Sequence, residues 1–212
     1  MSASLFDDTT VASEKRLAKF EVNYTPIGVV RQCLTKLKQR HDLHVRSFLD
    51  PSAGSGVYCK VVRELWPSAY ICAVEPREEE REGLLRVAKD VITAEFDPSA
   101  WTPNEWDLIA TNPPFSNTHK WVRSIIENGL CDMLFLLDKT QAFQRSKAGV
   151  KLLEDCPPAE EYRIAQSIRF RAKGSGDSIC YSHWLWNLNT ASLGHWNAIQ
   201  LPLLDAAERR HR

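Results

Sequence analysis

The chain has no long apolar run. No hydrophobic segment reaches the ~20 residues that a membrane-spanning helix needs, and Met1–Asp8 lacks the basic-then-apolar pattern of a secretory signal. The expectation is a cytoplasmic protein with no membrane partner. Paired cysteines are also missing. Cys33, Cys59, Cys72, Cys131, Cys156 and Cys180 are scattered, with no C-x-x-C among them, so they read as reduced and mostly buried thiols rather than disulfides or metal ligands. His41-Asp42-Leu43-His44 has the spacing of half a metal site, but no second half accompanies it. It reads as a solvated helix end, and no metal is expected. An excess of charge of one sign is absent as well: 27 Lys and Arg stand against 27 Asp and Glu. A zero balance argues against non-specific coating of nucleic acid. Local excesses remain, acidic over Arg77–Glu82 and basic over Lys139–Lys173. No internal repeat or low-complexity segment occurs.

What is present is ordinary globular composition, 43% hydrophobic and 25% charged over 212 residues. That length suits one domain, 1–212, with 1–19 as a polar lead-in expected to be mobile. The most informative stretch is Asp107-Leu108-Ile109-Ala110-Thr111-Asn112-Pro113-Pro114-Phe115. It begins as a buried strand and ends in a tetrapeptide that folding alone does not require. Two prolines fix φ and remove two backbone donors, and Asn112 is pushed towards extended backbone by the proline after it. An amide side chain, a free Pro113 carbonyl and the Phe115 ring are thereby held on a rigid turn at a strand end. In an open α/β sheet ligands sit there. An exocyclic amino group on a planar base fits: two acceptors for its N–H bonds and a ring to stack on.

The rest of the chain supplies neighbours for that turn. Tyr24-Thr25-Pro26 leads into a helical pattern over Ile27–Leu37, with Thr25 placed as N-cap and Pro26 as first helical residue. Val45–Leu49 reads as a strand ending in Asp50-Pro51-Ser52-Ala53-Gly54-Ser55-Gly56, followed by helix Val57–Leu65. Strand, glycine turn and helix open a nucleotide-binding α/β unit. The third glycine of a dinucleotide fingerprint is replaced by Cys59, and no lysine sits in the turn, so a phosphate cradle is unsupported. Asp50 would repel phosphate but accept an amine. The second strand, Ala69–Val74, ends in Glu75-Pro76, at the spacing of an acid that grips ribose hydroxyls. A surface helix Glu78–Lys89 and a third strand Val91–Ala94 come next, ending at Glu95-Phe96, an acid and an aromatic suited to an adenine amino group and ring. Helix His119–Asn128, the apolar strand Asp132–Leu137, a helix or loop over Gln141–Asp155, and strands Tyr162–Phe170 and Ile179–Trp186 complete the reading, with Trp184, Trp186 and Trp196 packing the last strand and tail. The order predicts a mostly parallel seven-stranded sheet with a terminal antiparallel hairpin.

Together these motifs resemble the S-adenosylmethionine-dependent amino-methyltransferases of nucleic acid bases, most closely the adenine-N6 DNA methyltransferases in the gamma motif order. The resemblance covers about residues 20–186. It implies a Rossmann-like class I methyltransferase fold and S-adenosyl-L-methionine as cofactor. Asp50, Pro51, Ala53, Gly54 and Gly56 correspond to the cofactor-binding turn, and Glu75 with Pro76 to the ribose site. Glu95 and Phe96 correspond to the adenine-contacting pair, where the family more often has Asp. Tyr24, Thr25 and Pro26 match the element that holds the methionine end. Asn112, Pro113, Pro114 and Phe115 match the catalytic motif, with Asn112 also near the cofactor. The resemblance implies transfer to an amino nitrogen of a base flipped out of the stack. Phe115 stacks on the base, with Phe170 as a candidate for its other face. One departure is that fewer than a hundred residues follow Phe115 here, and the core strands are expected to use most of them, where gamma-type enzymes carry a large target-recognition domain. Recognition is then expected from Ser116–His119, Lys139–Pro158 and Arg171–Ser178, or to be minimal, with dimerisation as a way to complete it. Stand-alone cores of this kind are similar to those of phages and prophages, which implies a bacterial or phage-infected host cell. DNA is the expected partner and RNA the alternative, on adenine N6 or guanine N2; cytosine N4, protein glutamine and a non-catalytic subunit are further readings. A C5-cytosine enzyme is excluded, because no cysteine follows a proline.

Overall fold

Short apolar runs bounded by glycine and proline form strands where helices cover both faces, and most of this chain is built that way. The computed structural model describes residues 24–116, 118–165, 168, 179–189 and 196–205. In order, the elements are α1 (Ile27–His41), β1 (Ser47–Asp50), α2 (Val57–Leu65), β2 (Tyr70–Val74), a 3-10 turn at Glu78–Glu80, α3 (Arg81–Leu84) and β3 (Asp90–Ile92). A second 3-10 turn (Pro98–Ala100) then precedes β4 (Trp106–Thr111), α4 (Thr118–Glu127), β5 (Cys131–Lys139), α5 (Lys147–Asp155), β6 (Glu160–Arg163), β7 (Tyr181–Asn187) and β8 (Asn197–Gln200).

Among the described residues, eight strands form one sheet in the order β3-β2-β1-β4-β5-β7-β6-β8. Strands β1 to β5 are parallel. β7 runs antiparallel to both β5 and β6. This is the expected mostly parallel sheet with an antiparallel pair at its end. The strand count differs: β8 adds itself parallel to β6. Its Asn-Ala-Ile-Gln residues are mostly exposed, so no apolar alternation announces it.

Successive side chains of each strand go to opposite faces. Phe48, Leu108, Ala110 and Phe135 pack on one face with Val30 and Leu34 of α1 and Val61 and Val62 of α2. Leu49, Ile109, Leu134 and Leu136 pack on the other with Val122 and Ile125 of α4 and Leu152 of α5. Phe143 stands edge-on to Trp184 and Trp186, at 5.5 and 5.7 Å between ring centres, and Trp196 packs edge-on against Trp184. The predicted tryptophan cluster is thus present. Four of the cysteines are buried, Cys156 is half-buried, Cys180 is exposed, and all six are free thiols.

Three predicted elements end earlier than the sequence suggested. The helix expected over Glu78–Lys89 breaks into a 3-10 turn and the single turn of α3, because Glu80 turns inward to accept the Tyr24 hydroxyl (2.7 Å) and Gly83 weakens any continuation of the helix. β3 ends at Ile92 rather than Ala94. β6 stops at Arg163, and Phe170, with the segment 171–178 expected as a loop, lies outside the described residues, as do residues 1–23.

Two glycines of the β1–α2 turn have left-handed backbone, Gly54 at φ 53° and Gly56 at φ 77°. At Gly56 the space is taken too: a β-carbon there would stand 2.8 Å from Leu84 Cδ2. The Leu84 side chain of α3 therefore packs into space that a side chain at position 56 would contest. Gly56→Ala is expected to lower the unfolding free energy by roughly 2–4 kcal/mol, adding left-handed strain to overpacking, and urea titration of the two proteins measures it.

Candidate functional site

β1 and β4 are neighbours, yet β1 leads to β2 on one side and β4 to β5 on the other. Such a reversal opens a crevice outside the carboxyl ends of the strands. Asp50 is the last residue of β1, Glu75 comes directly after β2, and Asn112 directly after β4. Parallel pairing brings all three to one edge.

Asp50 is fully buried. Its Oδ1 accepts the Ser52 amide (3.3 Å), while Oδ2 is buried without a hydrogen-bond partner among the described residues. Burial pushes its pKa from the ordinary carboxyl value up to about 7; the neighbouring Thr111 hydroxyl and the Ser52 amide pull it back, and Glu75 adds a small upward push. The Thr111 hydroxyl lies near, but Thr111 Oγ1 itself meets no partner at hydrogen-bonding geometry. Pro51 and Ala53 are buried, and the Ala53 amide donates to the Val74 carbonyl (3.0 Å), tying the glycine turn to β2.

Glu75 is buried, and its carboxylate spans the turn. Oε2 accepts the Gly54 amide at 2.7 Å. Oε1 accepts the Arg77 amide at 3.1 Å and Arg77 Nε at 2.7 Å. A carboxylate has about four acceptor positions, so one remains, on Oε2. Pro76 beside it is half-buried. Arg77 also donates through Nη1 to the Tyr24 hydroxyl (2.8 Å) and pairs with Glu80 (3.2 Å). Sequence reading did not single out Arg77. Its one signal was a cation directly after the strand-end Glu-Pro, within an acidic run.

The segment before α1 reaches both halves of the crevice. The Tyr24 ring lies 3.8 Å from where a Gly54 β-carbon would stand. Thr25 is buried, and it does not cap α1: Pro26 occupies the N-cap with extended backbone and no side-chain cap bond. The Thr25 hydroxyl instead accepts Asn112 Nδ2–H at 3.1 Å, so it is committed to the other side of the crevice. Asn112, Pro114 and Phe115 are half-buried and Pro113 is buried. The Phe115 ring meets Tyr181 at 5.7 Å, and Lys139 Nζ stands 5.5 Å from its centre. Lys139 ends β5 and Tyr181 begins β7, so both were beyond the reach of a local reading. Glu95 is exposed, three residues past β3, and Phe96 packs on Trp101 and Trp121 at 6.2 and 5.2 Å. That contact carries Phe96 towards α4.

No family model matches the sequence, and no curated protein matches it. Solved structures do. A protein from Pyrococcus horikoshii, provisionally described as an RNA methyltransferase, superposes with a TM-score of 0.60 at 16% identity, over 78% of this chain and 86% of that one. A protein from Listeria monocytogenes, provisionally described as a class I S-adenosylmethionine-dependent methyltransferase, superposes with a TM-score of 0.60 at 12% identity, over 84% of this chain and 65% of that one. The plantazolicin methyltransferase BpumL, solved with S-adenosylhomocysteine and a substrate analogue, gives a TM-score of 0.53 at 13% identity, over 85% of this chain and 91% of that one. The fold is therefore the Rossmann-like class I methyltransferase fold, with eight strands among the described residues.

The raised pKa of Asp50 sets a pH dependence of stability. In the unfolded chain the carboxyl ionises near its ordinary value, so the folded state holds the extra proton between about pH 4 and pH 7. Stability from this group falls as pH rises across that window and is level above it. Asp50→Asn is expected to raise the unfolding free energy at pH 8 by roughly 1–4 kcal/mol and to leave it nearly unchanged at pH 4. Denaturant titrations at the two pH values test this.

Proposed function

We propose that this chain is an S-adenosylmethionine-dependent methyltransferase that acts on the exocyclic amino nitrogen of a nucleic acid base, with adenine N6 in DNA as the favoured target. The observation that carries the reading is the Asn112-Pro113-Pro114-Phe115 turn at the end of β4, beside the glycine turn of β1 at the reversal of strand order. S-adenosylmethionine, when bound, would supply an electrophilic methyl group on a sulfonium.

The residues fit such a cofactor. Gly54 leaves one side of the turn without a side chain, Glu75 keeps an acceptor position for a ribose hydroxyl, and Asp50 Oδ2 is a buried oxygen that an α-ammonium would satisfy. Tyr24 lies against the same turn, with Thr25 and Pro26 next to it in the chain. Glu95 and Phe96 are the candidates for the adenine end.

On the substrate side, Asn112 Oδ1 and the Pro113 carbonyl would accept the two amino hydrogens. That places electron density on the nitrogen and directs its lone pair away from the protein. Phe115 offers a ring for the base to stack on, backed by Tyr181. Catalysis is then alignment plus preorganised acceptors, and no covalent enzyme intermediate is needed. The likeness to the Pyrococcus horikoshii protein supports keeping RNA as the second reading. DNA or RNA as partner, recognition by the segments at 116–119, 139–158 (which contains α5) and 171–178, and a homodimer belong to the same proposal, as does a single domain over 1–212.

The direct test is transfer from labelled S-adenosylmethionine to duplex DNA, single-stranded DNA, RNA and protein, with the modified residue identified by mass spectrometry. N6-methyladenine in DNA is expected; label in RNA alone moves the substrate to the second reading, and binding without transfer overturns the enzyme. Asn112→Ala is expected to lower the transfer rate by about 10²–10³-fold while leaving S-adenosylhomocysteine affinity nearly unchanged, as read by calorimetry. Glu75→Ala should weaken that affinity by about 1.5–3 kcal/mol, the worth of a charged hydrogen bond.

A further inference from the structure

Two buried polar side chains pack behind the site. Tyr58, on the first turn of α2, and His183, in the middle of β7, are 3% and 0% exposed, and the Tyr58 hydroxyl lies 2.7 Å from His183 Nε2. His183 stacks on Phe135, at 4.7 Å between ring centres, and burial lowers its pKa to about 3, which keeps the ring neutral. A neutral ring in contact with a phenol through Nε2 can accept the phenolic proton there. The Thr25 hydroxyl neighbours Tyr58 on its other side and acts to lower the phenol pKa, as a donor to its oxygen would, although burial dominates and the net shift is upward. Thr25 Oγ1, in turn, is the acceptor for Asn112 Nδ2–H at 3.1 Å. Asn112, Thr25, Tyr58 and His183 thus follow one another in a row that leads from the crevice into the core.

We propose that Thr25 is a positioning residue for the transfer reaction: by taking the Asn112 NH2 group it turns Oδ1 towards the substrate's amino group, with Tyr58 and His183 setting the direction of the Thr25 hydroxyl. This rests on reading Asn112 as an acceptor of the amino hydrogens. A carboxamide presents an acceptor or a donor to a neighbour depending on a half-turn about its last bond. A donor aimed at an amino group would hold it off and leave its hydrogens unbound. Pro113 and Pro114 carry no side-chain donor or acceptor that could choose between the two orientations. A bond that favours one of them comes from residue 25, 87 positions earlier in the chain. Thr25 thereby moves from the methionine end of the cofactor, where its motif placed it, to the amide that receives the substrate.

Thr25→Val keeps the shape of the side chain and removes its oxygen. The expected result is a fall in kcat of about 10–100-fold, the size of an alignment defect, with the affinity for S-adenosylhomocysteine unchanged; Thr25→Ser restores most of the rate. Tyr58→Phe should give a smaller loss of the same kind. A loss confined to S-adenosylhomocysteine affinity would return Thr25 to the methionine end, and an unchanged kcat would remove it from the reaction. A second readout needs no catalysis. The Asn112 side-chain amide protons, assigned as the pair missing from Asn112→Asp, should exchange slowly with solvent in the wild type and fast in Thr25→Val. Fast exchange in the wild type overturns the pairing whatever the activity. Slow exchange in a protein that methylates no nucleic acid would leave the pairing intact and overturn the reading of Asn112 on which its catalytic role depends.

Discussion

Parallel pairing of five consecutive strands is the constraint on which the site depends. A parallel ladder aligns the carboxyl ends of its strands on one edge, so Asp50, Glu75 and Asn112 are assembled by backbone hydrogen bonds before any side chain is considered. The reversal between β1 and β4 then separates the connections that leave those ends, and the crevice is the space they vacate. The short β1, four residues buried almost throughout, is held between β2 and β4 and has little freedom to shift register, since a one-residue slip would exchange the faces of Phe48 and Leu49.

The edge so formed is polar and buried, an arrangement that costs stability. Asp50 carries an oxygen without a partner, and His183 Nδ1 is buried without one among the described residues. Groups of this kind are retained where a ligand or an orientation needs them. The acids of β6 answer burial with pairing. Glu160 receives Arg40 and His41 from α1 together with the Tyr162 hydroxyl, and Glu161 receives Ser182 and Arg163. The contrast sets the acid at the end of β1 apart from the acids of β6. His41, read as the end of a solvated helix, is one of the residues that ties α1 to the far side of the sheet.

The resemblance to base methyltransferases rests on contiguous motifs, and the superpositions on solved structures rest on topology at 12–16% identity. The two are independent. Topology speaks for the fold, whereas the tetrapeptide, which no superposition depends on, speaks for the chemistry. Among the structural neighbours are proteins described as acting on RNA and on plantazolicin, so the fold leaves the substrate open. Of the segments expected to read it, 171–178 lies outside the described residues.

The amino-acid sequence by itself determined the order of strands and helices as far as β7, the glycine turn after β1, the acid after β2 and the Asn-Pro-Pro-Phe turn after β4. Each is a local feature: apolar runs, glycines with left-handed φ, and prolines act within a few residues of themselves. Only the tertiary structure decided that Thr25 receives the Asn112 amide instead of capping α1, that Arg77 joins Glu75 to Tyr24, that Lys139 and Tyr181 flank Phe115, and that Asn197–Gln200 completes the sheet. The Arg77–Tyr24 and Asn112–Thr25 bonds join residues 53 and 87 positions apart, and β8 is a polar strand laid on an edge. No local pattern encodes them, because the partner of a hydrogen bond is chosen by which strand ends the folded sheet brings together.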